Sequence, residues 1–524
     1  MKKNFWWGVV ACLSIITGLF LAIYHAQTQL IFGYDQVRDA FEAYAIWHNF
    51  DLKILGPSTD IPGVFHGVLW YYFLAIIYFL GRSPQSAALI YLLASFLAIP
   101  LVGLLAHKLF KDFRLTCLAI SLFALSPLFQ IFTHWLSNPG LVLLVSPALL
   151  IVLWSYLTKP QAIKAFVVGM FFGALCQAQF AYAILLLLVP AYLWFFRLIP
   201  SKRETIAFII GLTTTLSSFI LAEIKFHGLG IVSMLEFFLK GSSESEVSGA
   251  MLQVFDRIAQ LFFYSILPWH KLLIIGLIFL LWFNRSKIKF KSDYKQLGFL
   301  AIWLFGLIIF QLFSTAVSGS VHVLIAFAPV ATIIFAYFYS QLLAKYSLAI
   351  LLFPIIIFSQ IVIQFRWAKA DLSPLSAQQS AFLSQEQKLI DYTYTQAQGK
   401  PFIITTITNP LYINTLWAYL YQFYGQPKYG YLPYWGGLGQ TGRLGSLPEK
   451  PFGEDLRYLI FEDTNVINDF YVAKITYEED KISSIVEEKS FGKLKVQKRF
   501  FHPNKGPVPL PAALQNVSKN LLEK

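Results

Sequence analysis

Charge is what this sequence lacks. Only 13% of its 524 residues are Asp, Glu, Lys or Arg, about half the share of a soluble domain. With 57% hydrophobic residues, that scarcity excludes an ordinary cytosolic enzyme and a disordered chain. Glycine (31) and proline (24) stand at ordinary levels, which excludes a fibrous repeat. Cysteine is nearly absent. Cys12, Cys117 and Cys176 all lie in apolar runs, so neither a disulfide framework nor a cysteine zinc site is supported. No basic-plus-aromatic stretch marks a nucleic-acid module, so no nucleic acid is expected as a partner. What is present is a mean hydropathy of +0.59 and a succession of long apolar runs, the composition of a multi-pass membrane protein.

The few charges are unevenly placed. Residues 1–365 carry 23 Lys+Arg and 13 Asp+Glu between apolar runs, whereas 366–524 carry 18 and 15 and read as a soluble domain. A spanning helix needs about 20 mostly apolar residues. Eleven runs fit: 5–24, 87–106, 115–136, 140–157, 165–178, 180–196, 205–222, 265–284, 297–316, 322–340 and 347–365, the stretch 165–196 dividing near Gln177 and Gln179. Lys2 and Lys3 put the N-terminus in the cytoplasm, and no small-residue cleavage site follows, so the first run is an anchor. Alternation then sets 16 of the 23 basic residues on the cytoplasmic side, so the net charge of +13 is largely topological. The run His66–Leu80 is left out, because about 22 Å of helix falls short of a ~30 Å core. It is expected to dip into the outer leaflet; a true crossing offset elsewhere is the alternative. The odd count places the C-terminal domain outside a plasma membrane.

Five of the 13 acids fall in the first outer loop, within 25–86: Asp35, Asp39, Glu42, Asp51 and Asp60. Acids beside a bilayer are costly and commonly functional. Asp35, Arg38, Asp39 and Glu42 follow i, i+3, i+4, i+7 spacing, which is one helix face. Val37, Phe41, Tyr44 and Trp47 supply an apolar-aromatic side suited to the membrane interface. Two readings stand: a polar face turned to a cavity, or an interfacial helix whose acids are solvated and self-paired. Asp35 opens the helix just after Gly33, a position suited to a general base beside a lipid-borne substrate. The stretch Leu55–Gly67, with two prolines and three glycines, predicts a rigid turn back onto the membrane. His66 is then expected to start the short aromatic helix of Trp70, Tyr71 and Tyr72, a position that favours an anion.

Together these features resemble the GT-C glycosyltransferases, the dolichyl-phosphate-mannose protein mannosyltransferases and bacterial aminoarabinose transferases in particular. The resemblance rests on Tyr34-Asp35-Gln36-x-Arg38-Asp39, Gly56-Pro57 and Phe65-His66-Gly67, and extends in architecture over 1–365. It implies a membrane enzyme that takes a sugar from a polyprenyl-phosphate donor. It places the catalytic acid on Asp35 and the family's basic residue on His66. The family's second acid falls on Gln36, so Asp39 or Glu42 would substitute. A later family acid falls on Asn138, in Thr133-His134-Trp135-Leu136-Ser137-Asn138-Pro139. Glu223-Ile224-Lys225-Phe226-His227-Gly228 resembles an outer-loop segment of the bacterial branch, and His322 is a further candidate.

The chemistry implied is inverting transfer to an acceptor hydroxyl on protein, lipid or glycan, through an oxocarbenium-like transition state. Asp35 is the general base, and Arg38, His66, Lys225 and His227 are candidates to meet the departing phosphate. No cofactor is implied, and a divalent ion on Asp35, Asp39 and Glu42 is the variant considered. Competing functions are a glycan polymerase or ligase on the same lipids, and a non-enzymatic flippase. No internal repeat supports the latter.

After a linker at Asp371–Pro374, the pattern predicts helices over 380–398 and 410–424. Strands are predicted over 402–407 and near 457–462, 471–477 and 493–500, giving a small α/β domain. Trp417, Tyr419, Tyr421, Tyr424, Tyr429, Tyr431, Tyr434 and Trp435 form a cluster that suits a core, a membrane belt or a sugar platform. A flexible loop is expected at Gly241–Glu246, and Asn516-Val517-Ser518 matches a glycosylation sequon.

Overall fold

Hydrocarbon offers no partner to a free backbone N–H or C=O, and the way this chain meets that constraint shapes its membrane portion. The structure is a computed structural model. It describes residues 2–59, 61–241, 250–267, 290–313, 321–367, 382–437, 445–449, 456–463, 467–502 and a few positions beyond. Asp60, most of the Gly241–Glu246 loop, the 371–374 linker and the Asn516 sequon lie outside the described residues, as does most of the 265–284 span. Two compact units emerge: residues 1–26 with 46–374, and residues 27–45 with 375–524.

The first unit is helical. In order come α1 (Lys2–Thr28), α2 (Tyr34–Asn49), α3 (Leu69–Gly81), α4 (Pro84–Ser95), α5 (Ala98–Phe110), α6 (Phe113–Ala124), α7 (Pro127–Thr133), α8 (Val142–Thr158), α9 (Ala162–Ala178) and α10 (Leu188–Phe196). There follow α11 (Lys202–Thr215), α12 (Ser217–Lys225), α13 (Leu229–Gly241), α14 (Ala250–Ser265), α15 (Phe290–Phe313), α16 (Ala328–Lys345) and α17 (Leu352–Trp367). The end of α1 and most of α2 belong to the second unit.

Among the described residues five helices are long and apolar enough to cross a membrane, or seven if α6–α7 and α11–α12 each count as one bent span. Among the described residues this is fewer than the eleven expected, of which the 265–284 run lies mostly outside them. The 165–178 and 180–196 runs form shorter helical pieces, parted at Gln179 as expected. The excluded run forms the 13-residue α3.

Each bend is repaired by glutamine. The α6–α7 pair bends by 54° ahead of Pro127, freeing carbonyls of the broken turn. Gln130 Nε2 donates to Ala124 O (2.6 Å), Gln364 Nε2 to Leu125 O (3.0 Å) and Gln360 Nε2 to Leu122 O (3.3 Å). The α11–α12 pair bends by 61°. There Gln177 Nε2 donates to Thr215 O (2.8 Å) and Ser218 Oγ (2.7 Å). Its Oε1 accepts the Leu69 N–H at 3.3 Å, so one amide ties α3, α9 and the bend together.

Helices α9 and α11 meet backbone to backbone. A Cβ at Gly169 would stand 2.2 Å from Phe208 O, and one at Gly211 would stand 2.0 Å from Phe166 O. Gly169 and Gly173 form a small-xxx-small stripe, which lets helices associate in lipid by close contact.

The second unit is α/β, with α18 (Leu383–Ala397), α19 (Thr415–Leu420) and α20 (Asp469–Ile482) beside five strands. These are β1 (Ile403–Ile407), β2 (Tyr434–Trp435), β3 (Leu456–Phe461), β4 (Ser483–Phe491) and β5 (Leu494–Phe501). The sheet order is β2-β1-β3-β5-β4, with β1 parallel to both neighbours and β5 antiparallel to β3 and β4. Ile407, Leu459, Phe461 and Ile475 form its core between sheet and α20.

The strand expected at 471–477 is a helix. Asn468 Oδ1 accepts the Phe470 N–H (2.9 Å) and caps it, outweighing its β-branched content. The helix expected over 410–424 shortens to α19 followed by a wide turn at 421–425. Of the aromatic cluster, Trp417, Tyr419, Tyr421 and Trp435 are core residues.

Beside that core, Glu462 accepts from Trp417 Nε1 (2.9 Å) and the Asn409 N–H (2.7 Å). Burial nonetheless pushes its carboxyl up to about 7. Glu386 is wholly buried, and burial, then the Glu462 charge, hold it well above the usual carboxylate range.

Candidate functional site

Helix α2 carries the candidate base and is built into the α/β unit. Ile31 pairs with Phe382 in an isolated antiparallel bridge, and the Leu383 N–H donates to Leu30 O (3.0 Å). Phe41 meets Tyr419 edge-on (ring centroids 5.1 Å) and Phe423 (5.9 Å), and Tyr44 meets Phe423 (5.5 Å). The aromatic side expected at a lipid interface is therefore covered by protein. Trp47, on the part of α2 belonging to the first unit, packs on Phe79 (6.0 Å).

On the polar side Arg38 is a clamp. Its Nη1 lies 2.9 Å from Asp35 Oδ1 and its Nη2 2.8 Å from Asp39 Oδ1. Its guanidinium also stands over the Tyr34 ring at 5.8 Å. Asp35 keeps 48% of its side chain exposed, whereas Asp39 keeps 2%. The two carboxylates thus differ: Asp35 is half-exposed, and Asp39 is buried against the arginine that also holds Asp35. Glu42 follows on the same helix, partly buried.

Gln36, where the sequence resemblance leads one to expect a second acid, is turned inward. Its Oε1 accepts the Gly33 N–H (3.0 Å), the reach-back of a capping box. This side chain fixes the start of α2 and so the position of Asp35. The divalent-ion variant finds Asp35 and Asp39 already bound to Arg38. Among the described residues no group of three or more His, Cys, Asp or Glu is arranged to hold a metal.

In the first unit the Pro/Gly stretch closes on itself. His66 N–H donates to Pro57 O (2.8 Å), Gly56 N–H to His66 O (3.2 Å), and a Cβ at Gly56 would strike Gly67 O at 2.1 Å. His66 does not start the helix, which begins three residues later at Leu69. Its Nδ1 accepts the Phe180 N–H at 3.2 Å, so a neutral ring carries its proton on Nε2.

Asn138 opens a 3₁₀ turn and its Nδ2 donates to Ala178 O (2.8 Å). Glu223 accepts the Ile231 N–H (3.3 Å) at the start of α13, a carboxylate serving a helix N-terminus. Lys225 ends α12, exposed and near the Phe226 ring (5.6 Å). His227 is exposed in the reversal between α12 and α13, with φ +54°. His322 sits in a 3₁₀ turn whose carbonyl accepts from Tyr182 Oη (3.0 Å).

Sequence reasoning passed over two residues. Arg257, on α14, is 7% exposed and lies within electrostatic reach of His322. Its Nη1 donates to Gln260 Oε1 (2.7 Å), and no carboxylate of a described residue forms a salt bridge with it. The signal was there, since an arginine inside a membrane region is a functional pointer by default. His25, on α1, stacks on His134 at 5.7 Å, both buried.

No protein-family model matches the chain, and no curated protein matches it. Solved structures do. ArnT from Cupriavidus metallidurans bound to undecaprenyl phosphate is similar over 93% of this chain and 97% of its own, with TM-score 0.58 at 11% identity. The apo state of the same protein is similar over 95% and 98%, with TM-score 0.56 at 12% identity. An Archaeoglobus fulgidus oligosaccharyltransferase, in complex with Zn and sulfate, covers 90% of this chain and 71% of its own, with TM-score 0.49 at 12% identity. At such identity the likeness shows the fold alone: this chain shares the architecture of ArnT, with several helices long and apolar enough to cross a membrane.

Proposed function

We propose that the protein is an inverting glycosyltransferase. It moves a sugar from a polyprenyl-phosphate donor to an acceptor hydroxyl on the extracytoplasmic side of the cell membrane. The observation that carries the proposal is Asp35: a half-exposed carboxylate at the first turn of α2, aimed by Arg38, on a fold whose solved relative holds undecaprenyl phosphate.

Asp35 takes the proton of the acceptor hydroxyl as its oxygen attacks the anomeric carbon. The C–O bond to the phosphate breaks, and the lipid phosphate leaves with the bonding pair. Such a leaving group needs fixed donors. Arg257 and His322 supply a pair of basic side chains within the membrane unit, whereas Arg38 is committed to positioning. Lys225, His227 and His66 are secondary candidates for donor contact.

The test is Asp35→Asn assayed for sugar transfer from a polyprenyl-phosphate donor. The expected result is a loss of about 10²–10⁴-fold with folding intact. Unchanged turnover removes Asp35 as the base.

A further inference from the structure

Helices α8 to α11 line a partly open cavity of about 140 Å³. Its wall is hydrocarbon, from Leu153, Leu157, Ala165, Val168, Val189 and Phe208. Water is not stable in such a space, because each molecule needs two to four polar partners. Pro200, Glu204 and Thr205 also line it, at and just after the loop that leads into α11. Glu204 there is occupied: Ser201 N–H donates to its Oε2 (2.8 Å) and its own N–H donates to Ser201 Oγ (3.3 Å).

The chain next to these lining residues carries four exposed cations. Lys159 follows the lining residue Leu157 by two positions, Arg197 and Lys202 flank Pro200, and Arg203 adjoins Glu204. None of them forms a salt bridge with a described residue, whereas nearby Lys164 donates to Ser155 O (3.2 Å) and Lys159 O (2.7 Å). Trp194 and Ile199, 82% and 92% exposed, lie in the same segment and suit a bilayer interface. A dry slot beside four unspent positive charges matches a ligand with a hydrocarbon tail and an anionic head.

We propose that this cavity is a structural lipid site. It takes an acyl chain of an anionic phospholipid from the leaflet on the side of loops 159–161 and 197–203, with the headgroup phosphate among Lys159, Arg197, Lys202 and Arg203. A zwitterionic lipid fills the slot equally well but gains less from the cations, each of which favours an anionic head by about fivefold. The site is independent of the transfer chemistry.

The experiment titrates the full-length protein in detergent with phosphatidylglycerol or phosphatidylcholine and counts bound lipid by native mass spectrometry. Phosphatidylglycerol is expected to bind at least tenfold more tightly. Replacing Lys159, Arg197, Lys202 and Arg203 together by Gln should abolish the preference, and Ala165→Leu, which fills the slot, should abolish binding of both lipids. Equal binding of the two lipids by the natural protein overturns the proposal. So does a preference that survives Ala165→Leu, which would mean surface attraction alone. Should Ala165→Leu fail to fold, the four-Gln variant, changed only at exposed positions, decides, and an unchanged preference sinks the idea. Undecaprenyl phosphate displacing phosphatidylglycerol at equal concentration would give the cavity to the donor lipid and likewise overturn it.

Discussion

Phe41 stands edge-on to Tyr419 at 5.1 Å, and through this contact the C-terminal domain holds the helix that carries the candidate base. Phe41→Ala should cost on the order of 2 kcal/mol in the α/β unit. It should also lower kcat about 100-fold, because Asp35 loses its fixed approach to the acceptor. Limited proteolysis and single-turnover transfer check the two effects. Full kcat with a loosened helix would separate placement from catalysis.

Gln36 and Asp35 should respond in opposite ways to conservative change. Gln36→Glu keeps the acceptor for the Gly33 N–H and should leave transfer within about twofold of the natural rate. Gln36→Ala should cost about 1 kcal/mol at the start of α2. A large gain of activity in Gln36→Glu would mean that a second acid is missing at this site, contrary to the inward cap.

Arg38→Ala leaves Asp39 buried without its cation, and such a loss is strongly destabilising, about 3 kcal/mol. The double change Arg38→Leu with Asp39→Leu should recover most of that stability while transfer stays low. Melting curves and transfer rates of the two variants beside the natural protein form the check. Recovery of both properties would make the arginine dispensable for positioning.

Gly211→Leu should disrupt the membrane unit, because its side chain would meet the Phe166 carbonyl of the facing helix. A loss of about 3 kcal/mol is expected. Gly228→Ala, where no atom lies within 4 Å of the added carbon, should cost less, through its φ of +77° alone. Equal melting of the two variants would contradict the close α9–α11 contact.

The buried carboxyls of the α/β unit give a pH dependence with a defined sign. Glu462 titrates near 7 when folded and near 4.5 when free, so between those values the folded state holds more protons than the unfolded. Stability therefore falls as pH rises from about 4.5 to 7, by roughly 3 kcal/mol, and levels off above. Glu386 acts in the same direction. The difference in melting temperature between the natural protein and Glu462→Gln, followed across this range, isolates the contribution. A flat difference would mean that Glu462 is ionised throughout.

Local patterns made much of this legible. The i, i+3, i+4, i+7 run over Asp35–Glu42 gave α2, the 15-residue apolar run gave the short α3, and β-branched runs gave β1, β3 and β5. Three things failed for identifiable reasons. The helix at Asp469–Ile482 depends on an Asn468 cap that its β-branched residues obscure. The helix start at His66 was displaced because the Pro/Gly turn spends that backbone on its own hairpin. The inclusion of residues 27–45 in the second unit is a long-range property, set by Phe382, Tyr419 and Phe423, that no window of sequence contains. The Gly169–Gly173 stripe and the Gly33–Gln36 cap spacing, by contrast, were readable and went unread.

The bridge from Ile31 to Phe382 joins positions about 350 residues apart. At roughly 5–20 residues per second, a ribosome delivers the second partner tens of seconds after the first. During that interval the segment bearing Asp35 has no Tyr419 or Phe423 to rest on. A prematurely terminated chain would therefore leave that segment without its packing, and the placement of α2 is completed only by the last third of translation.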